Sequence, residues 1–258
     1  MDKDEILKKI TEKKEFSNLP EKDVEKVFEK FEKRQTTNEE KIKLSRDLLR
    51  KIYSSFTSGK LLSLKNKSEE WVLKKHLSTR ERFGFYKELY EKILKDFEDK
   101  KISVIDLGAG VNGFSYKYFK ENNFNVNYVA VEAVGQLVAL MDFYFIKNKL
   151  NAIAIHESLF ELEKIKKIVE KQKKPKIIFL FKVIGSLEMI EKNYSKKFLK
   201  EIVPLVDKVV LSFATESFVK RKKFFVDRSW ILNFIEENFK ILDGFQLGSE
   251  KYFVFCKK

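Results

Sequence analysis

Apolar residues fall into two regimes along this 258-residue chain. Over the first 75 or so residues they recur at helical spacing among charged positions: Val24, Val27, Phe28 and Phe31 make one face, and Ile42, Leu44, Leu48, Leu49, Ile52 and Phe56 another. Nothing there reads as a strand. Asn18-Leu-Pro-Glu21 and Thr37-Asn-Glu-Glu40 each set a capping side chain three positions before a glutamate, the pattern that satisfies free N–H groups at a helix start. Residues 1–75 therefore predict an all-helical extension, and a stretch rich in Ser, Gly and Lys at 57–68 separates it from a second domain at 76–258. Ser78-Thr-Arg-Glu81 is a further capping box, which predicts one helix over about 79–97.

From Lys101 the period changes. Short apolar runs at 102–106, 128–132, 152–156, 177–181 and 209–213 alternate with helical stretches, which predicts a mainly parallel sheet covered on both faces. The ending differs: runs at 241–247 and 252–256 flank Gly248-Ser-Glu250 and read as a hairpin, so the last strand enters antiparallel. Trp230, Phe234 and Cys256 are assigned to the core. The fold expected is α/β, a Rossmann-like sheet with an antiparallel last strand, behind a helical extension.

The first strand runs into Asp106-Leu-Gly-Ala-Gly-Val-Asn-Gly113, where glycines carry the chain round a tight turn into a helix. The spacing G-x-G-x-x-G is the dinucleotide fingerprint, and alone it would suit a nicotinamide oxidoreductase. Asp106 points elsewhere, because a carboxylate two residues before the first glycine suits a ligand carrying an ammonium group. S-adenosylmethionine carries one, and five parallel strands closed by a hairpin are the arrangement of the class I methyltransferases that use it. In open α/β sheets the ligand sits at the carboxyl ends of the strands. The turn residues Gly108, Ala109, Gly110 and Asn112 then approach the cofactor, with Phe181 at the end of the fourth strand. Glu132, with Ala133, closes the second strand where an acid would take both ribose hydroxyls. Glu157 would receive the adenine amino group, with Ser158 and Leu159 packing the ring. His156 reads as a structural end-of-strand residue. His76, Arg80 and Arg82, crowded just before the first strand, suit a carboxylate or phosphate clamp, and Arg82 offers a two-pronged bond to the cofactor carboxylate.

The charge balance narrows the partners. Lys+Arg 53 against Asp+Glu 39 gives +14, which favours a polyanion, RNA first, although lysine-rich, 36% charged surfaces also mark heat-adapted proteins. After the fifth strand, Lys220, Arg221, Lys222 and Lys223 lie between aromatics and form the best RNA-binding candidate. Cys256 is the only cysteine, so an intramolecular disulfide and a cysteine zinc site are excluded, and no metal is expected. No apolar run reaches the roughly 18 residues of a membrane span and the start is too charged for a signal peptide, so a cytoplasmic protein is expected.

The fourth strand ends in Phe181-Lys-Val-Ile-Gly-Ser-Leu-Glu188, where Lys182 and Ser186 are the candidate catalytic residues. The Asn/Asp-Pro-Pro-aromatic tetrapeptide used on exocyclic amines is absent, and carbon methylation lacks its cysteine. A nitrogen already nucleophilic, such as guanine N7, needs only positioning.

These residues resemble a family. His76-Leu-Ser-Thr-Arg-Glu-Arg82 is similar to the His-x-Ser-Thr-x-Glu-Arg segment of the aminoglycoside-resistance 16S rRNA methyltransferases. Asp106-Leu-Gly-Ala-Gly-Val-Asn112, Leu180-Phe-Lys-Val-Ile-Gly-Ser-Leu187 and Leu211-Ser-Phe-Ala-Thr-Glu-Ser217 resemble three more of its motifs, in the same order. The resemblance implies an S-adenosylmethionine-dependent enzyme acting on 16S rRNA near the decoding region of the assembled small ribosomal subunit. It also implies that the N-terminal helices grip rRNA and that Arg82 binds the cofactor carboxylate. Gly113-Phe114, Gly185 and Ala214 depart from the family pattern at positions expected to line the base pocket, which leaves guanine N7 and cytosine N4 both open. A housekeeping mark in a heat-adapted, archaeal-type sequence is expected over drug resistance. The competing reading from another class is a ribosome-assembly or RNA-binding factor that keeps the fold without catalysis.

Overall fold

The computed structural model describes residues 1–54, 61, 67–97, 100–215 and 227–258. The extension is helical as expected, with α1 (Lys3–Thr11), α2 (Glu21–Glu32) and α3 (Asn38–Leu49). Asp2 caps α1 in a full box with Glu5, and the Thr37 hydroxyl accepts the Glu40 N–H at 3.2 Å to cap α3. Between these helices Val24, Val27 and Phe28 meet Ile42, Leu49 and Ile52 in a buried layer. The expected box at Asn18 does not form. Instead α2 starts after Pro20 without a side-chain cap, and the Asn18 carbonyl accepts the N–H of Gly135, far along the chain, at 2.9 Å.

The predicted helix over 79–97 is broken. Helices α4 (Glu69–Lys75), α5 (Leu77–Arg82) and α6 (Tyr86–Leu94) are separate, with a turn at 83–85. Ser78 caps nothing, because its hydroxyl accepts a hydrogen bond from Arg82 Nη2. A buried guanidinium needs that oxygen, since an unpaired charge out of water is costly.

The strands β1 (Lys101–Leu107), β2 (Asn125–Glu132), β3 (Ala152–His156), β4 (Lys176–Phe181), β5 (Lys208–Ala214), β6 (Phe239–Leu247) and β7 (Glu250–Lys257) form one sheet in the order β3-β2-β1-β4-β5-β7-β6. The pairs among β1 to β5 are parallel, and β7 lies antiparallel between β5 and β6, so the hairpin is as predicted. Helices α7 (Lys117–Glu121), α8 (Gly135–Lys147), α9 (Leu162–Glu170), α10 (Ile184–Ile190), α11 (Tyr194–Ile202) and α12 (Ser229–Asn238) follow or join the strands. Strand β4 is buried along its whole length and β1 at all but its first residue, as parallel strands covered on both faces must be. The order reverses between β1 and β4, which opens a crevice at their carboxyl ends. Phe234 is core, whereas Trp230 and Cys256 are only half-buried, since both sit where the hairpin and α12 form an outer edge with little to cover it.

The extension docks on this second unit rather than standing apart. Lys26 Nζ pairs with Glu191 Oε2 at 2.5 Å, Lys30 Nζ donates to the Ile190 carbonyl at 3.1 Å, and Gln136 Nε2 donates to the Lys14 carbonyl at 2.9 Å. Gly135 permits the approach: a Cβ there would stand 2.9 Å from Asn18 Cβ and 3.1 Å from the Asn18 carbonyl oxygen. Gly135→Ala should therefore destabilise the fold by about 1–3 kcal/mol, as overpacking does. The check is thermal unfolding together with proteolysis, which should release residues 1–54 sooner in the variant.

Candidate active site

The crevice is built on the turn after β1. Gly108 and Gly110 hold φ of 74° and 57°, the left-handed region, and a Cβ on either would meet Val183 Cγ2 at 2.7 Å or His76 Cε1 at 2.9 Å. The turn is pinned from below, with the Gly108 and Ala109 N–H groups donating to the Val131 carbonyl at 2.9 and 3.1 Å. Gly110 N–H donates to Glu132 Oε2 at 2.7 Å, and Val134 N–H to Glu132 Oε1 at 2.9 Å. Burial raises the Glu132 carboxyl above the usual range, against these backbone donors.

Behind the turn runs a chain of buried polar groups. Asp106 Oδ2 accepts from Asn112 Nδ2 at 2.7 Å and from the Tyr128 hydroxyl at 2.6 Å. Asn112 Oδ1 accepts from Arg82 Nη1 and from the Tyr86 hydroxyl, both at 2.7 Å. Arg82, 3% exposed, donates through Nε to Glu250 Oε2 at 3.1 Å, and Glu250 also takes Lys182 Nζ at 3.2 Å and the Ser212 hydroxyl. Lys182 pairs further with Glu81. Its backbone stands at φ 63°, a conformation costly for a non-glycine residue, which lets its ammonium turn back under the site.

The charges follow from these contacts. Burial disfavours the charged Arg82, but Glu250 and the neighbouring Tyr86, Tyr252 and Asp106 outweigh it and hold the guanidinium protonated. Burial alone would raise Glu250, yet Arg82, Lys182 and the Ser212 hydroxyl bring its carboxyl below the ordinary value. Asp106 is raised by burial, against the hydrogen bonds of Tyr128 and Asn112 and the charge of Arg82. His76 is pushed down to about 3 by burial and by Arg82 and Lys182, so its imidazole is neutral. It cannot act as the cationic part of a clamp, and Arg80 is exposed on the far side of α5.

Most residues singled out from the sequence meet here. His76, Arg82, Asp106, Gly108, Ala109, Gly110, Asn112, Glu132, Ala133, Leu159 and Phe181 line one cavity, as do Lys182 and Ser186. Glu157 and Ser158 stand outside its wall: Glu157 pairs with Lys164 at 3.5 Å and its carboxylate caps the Ser158 N–H, while the Ser158 hydroxyl accepts the Phe160 N–H at 3.0 Å. His156 is structural as read, its Nε2 bonded to the Ala133 carbonyl at 2.9 Å. Lys220, Arg221, Lys222 and Lys223 lie outside the described residues. The departures from the family pattern do not line the cavity. Phe114 is buried and stacked on Tyr144 at 4.4 Å, Gly113 packs on Phe145, and Gly185 is exposed, so these positions do not shape the cavity wall.

The lining residues that were not singled out include two polar ones from the extension, Asp23 and Tyr53. The Tyr53 hydroxyl donates to Asp23 Oδ1, and Asp23 Oδ2 has no hydrogen-bond partner among the described residues. Burial raises the Asp23 carboxyl, against the nearby hydroxyls of Ser158 and Tyr53. A signal was present, since Asp23 falls on the same helical stripe as Val24, Val27 and Phe28, a lone acid on a buried face.

Sheet order and crevice together define a class I S-adenosylmethionine-dependent methyltransferase fold. No protein-family model matches the chain. A 16S rRNA (guanine(1405)-N(7))-methyltransferase from Proteus mirabilis is 26% identical over 195 residues, which are 71% of this chain and 63% of the relative. The match thus spans less than two thirds of that relative's length. In fold the chain is similar to the 16S rRNA methyltransferase RmtF solved with S-adenosyl-L-homocysteine, with a TM-score of 0.79, 16% identity and 100% of both chains covered. The 16S rRNA methylase RmtB gives 0.75 at 16% identity over 100% of this chain and 99% of that one. An rRNA methylase from Escherichia coli gives 0.75 at 16% over 99% of each. The resemblance to aminoglycoside-resistance-type 16S rRNA methyltransferases, read from four motifs, is borne out.

The donor set suits S-adenosylmethionine. Three of the five Arg82 N–H donors are used by Glu250, Asn112 and Ser78, Tyr86 also neighbours the guanidinium, and Arg82 lines the cavity wall where a carboxylate would meet it. Carboxylates at Asp106 and Glu132 face the same space, and Ala133, Leu159 and Phe160 supply apolar surface for a ring.

Glu250→Ala should cost about 3–5 kcal/mol, because Arg82 and Lys182 would keep buried charge without their shared partner. The pH dependence has a definite sign. The Glu250 carboxyl is lowered by folding, so its stabilisation is present above the ordinary carboxylate value of about 4.3 and is lost as pH falls through the lower folded value. Urea denaturation of the parent chain and the variant between pH 7 and pH 3 should show the two curves converging at the acid end.

Proposed function

We propose that this chain is an S-adenosylmethionine-dependent methyltransferase that modifies guanine N7 of 16S rRNA, near the decoding region of the assembled small ribosomal subunit. The observation that carries it is the convergence of Asp106, Glu132 and Arg82 on one crevice where the strand order reverses. Arg82 would hold the cofactor carboxylate, Asp106 its ammonium group and Glu132 its ribose hydroxyls, with the backbone of Gly108, Ala109 and Gly110 alongside. When bound, S-adenosylmethionine supplies an electrophilic methyl group on sulfur. Everything else falls to the chain.

Guanine N7 is favoured over cytosine N4 because, among the described residues at the entrance to the site, neither His76 nor Lys182 is set to take a proton. An exocyclic amine must lose a proton on methylation, whereas N7 presents a lone pair and no proton. His76 is a weak base at about 3, and Lys182 is paired with Glu81 and Glu250. Positioning then suffices, and it is worth several kcal/mol of barrier where reacting atoms are held in line. Lys182 and Ser186, at the end of β4 and on α10, face the space a base would enter and act there to place it. The relative from Proteus mirabilis is named for N7 of guanine, which supports this choice.

The extension and the basic run at 220–223 would hold rRNA through phosphate contacts, in keeping with the net charge of +14. No described helix is long and apolar enough to cross a membrane, and a cytoplasmic place of action follows from a ribosomal substrate.

Labelled methyl from S-adenosylmethionine should pass to small subunits isolated from a strain lacking this gene, and not to tRNA. The site should appear as a borohydride- and aniline-sensitive break, the mark of N7-methylguanine. Cofactor binding without transfer would mean a non-catalytic ribosome factor instead. A second measurement concerns Asp106, whose carboxyl is raised by burial in the free chain. An ammonium ligand needs it ionised, so wherever the free chain holds this carboxyl protonated, binding should release a proton. Affinity should fall as pH is lowered through the raised folded value of Asp106, and Asp106→Asn should abolish that dependence with a loss of about tenfold or more. Calorimetry in buffers of different ionisation heat reads the proton directly.

A further inference from the structure

We infer that Asp23, carried by the helical extension, accepts a hydrogen bond at Oδ2 from the exocyclic amino group of the cofactor's adenine, so that the extension completes the cofactor site. This rests on the crevice being an S-adenosylmethionine site.

Asp23 is 2% exposed, and its side chain lines the cavity together with Leu159 and Phe160. The Tyr53 hydroxyl engages one carboxylate oxygen and the Ser158 hydroxyl stabilises the ionised carboxylate from nearby, yet Oδ2 itself has no hydrogen-bond partner among the described residues. A buried acceptor without a donor is expensive, and chains seldom keep one without a ligand to satisfy it. The neighbours specify what that ligand must bring. The acids around this pair are Glu157, felt by Asp23, and Glu132, which is felt by Tyr53 and itself feels Asp23. A second acid or an anionic group would be repelled here, so the missing partner is a donor.

Its position selects the donor. Glu132 belongs to the end of β2, where ribose hydroxyls are expected, while Asp23 stands beside the segment after β3, with the apolar faces of Leu159 and Phe160 next to it. An aromatic ring lying against those side chains presents a polar edge, and adenine's edge carries an amino group. Glu157, the residue first assigned to that amino group, faces Lys164 at 3.5 Å instead and is outside the cavity wall. Helix α2, which carries Asp23, also holds the domain contacts Lys26–Glu191 and Lys30–Ile190, so a cofactor touching Asp23 touches the element that docks the extension.

The test is calorimetric binding of S-adenosylhomocysteine and of its analogue in which hydrogen replaces the adenine amino group, to the full chain and to Asp23→Ala. Expected are a loss of about tenfold for the analogue on the parent chain, a similar loss for Asp23→Ala with S-adenosylhomocysteine, and no further loss when the two changes are combined. Thermal unfolding of Asp23→Ala checks that it folds, and the analogue comparison on the parent chain needs no variant. Equal binding of both ligands by the parent chain would overturn the inference, as would losses that multiply in the combination. So would a Glu157→Gln variant that alone removes the discrimination. If the parent chain binds neither ligand, the cofactor reading itself fails, an outcome distinct from these.

Discussion

The structure depends on one carboxylate, Glu250. It opens β7, opposite Ala214 of β5, and at 1% exposure it takes both Arg82 and Lys182, charges that arrive from α5 and from the end of β4. Three segments far apart in the chain are joined by this pairing. None of the three charges is tolerable alone in such a place, since the desolvation of each is offset only when the others are present and hydrogen-bonded. The antiparallel insertion of β7 is therefore more than a way to finish the sheet. It delivers the anion that allows a guanidinium to be buried beneath the site.

From Arg82 the order passes to Asn112 and on to Asp106 and Tyr128, each contact fixing the next side chain. The glycine turn rests on this base from one side and on Glu132 from the other. Groups held by such a network need not reorganise when a ligand arrives, which is the condition for electrostatic stabilisation to act on charge as it develops. Lys182 illustrates the same economy of motion: its left-handed backbone is held by Ser212 and its ammonium by Glu81 and Glu250.

The helical extension is bound into this arrangement through Asn18, Lys26 and Lys30, and it brings Asp23 and Tyr53 to the cavity wall. An element proposed to hold rRNA thus shares a surface with the element proposed to hold the cofactor. Such sharing gives a physical route by which occupancy of one would bias the other, because both act on the seating of α2.

Much of this was legible in the residues. Strand runs between 102 and 213, the terminal hairpin, the glycine turn with Asp106, and Glu132 at the end of β2 all follow from period, turn chemistry and spacing, which are local properties. The Thr37 hydroxyl caps its helix as the sequence predicts, without the reciprocal Glu40 bond of a full box, whereas Ser78 was taken by Arg82 and the predicted helix broke. Glu157 carries the right chemistry next to the right strand, and only the packing turned it to Lys164 and left the open place to Asp23, more than a hundred residues earlier. By itself the sequence determined the sheet, its turn and the chemistry available at its edge, because those depend on neighbours along the chain. Tertiary structure alone decided which charges face one another, because burial makes a side chain choose the partner that satisfies it, and that partner is seldom close in sequence.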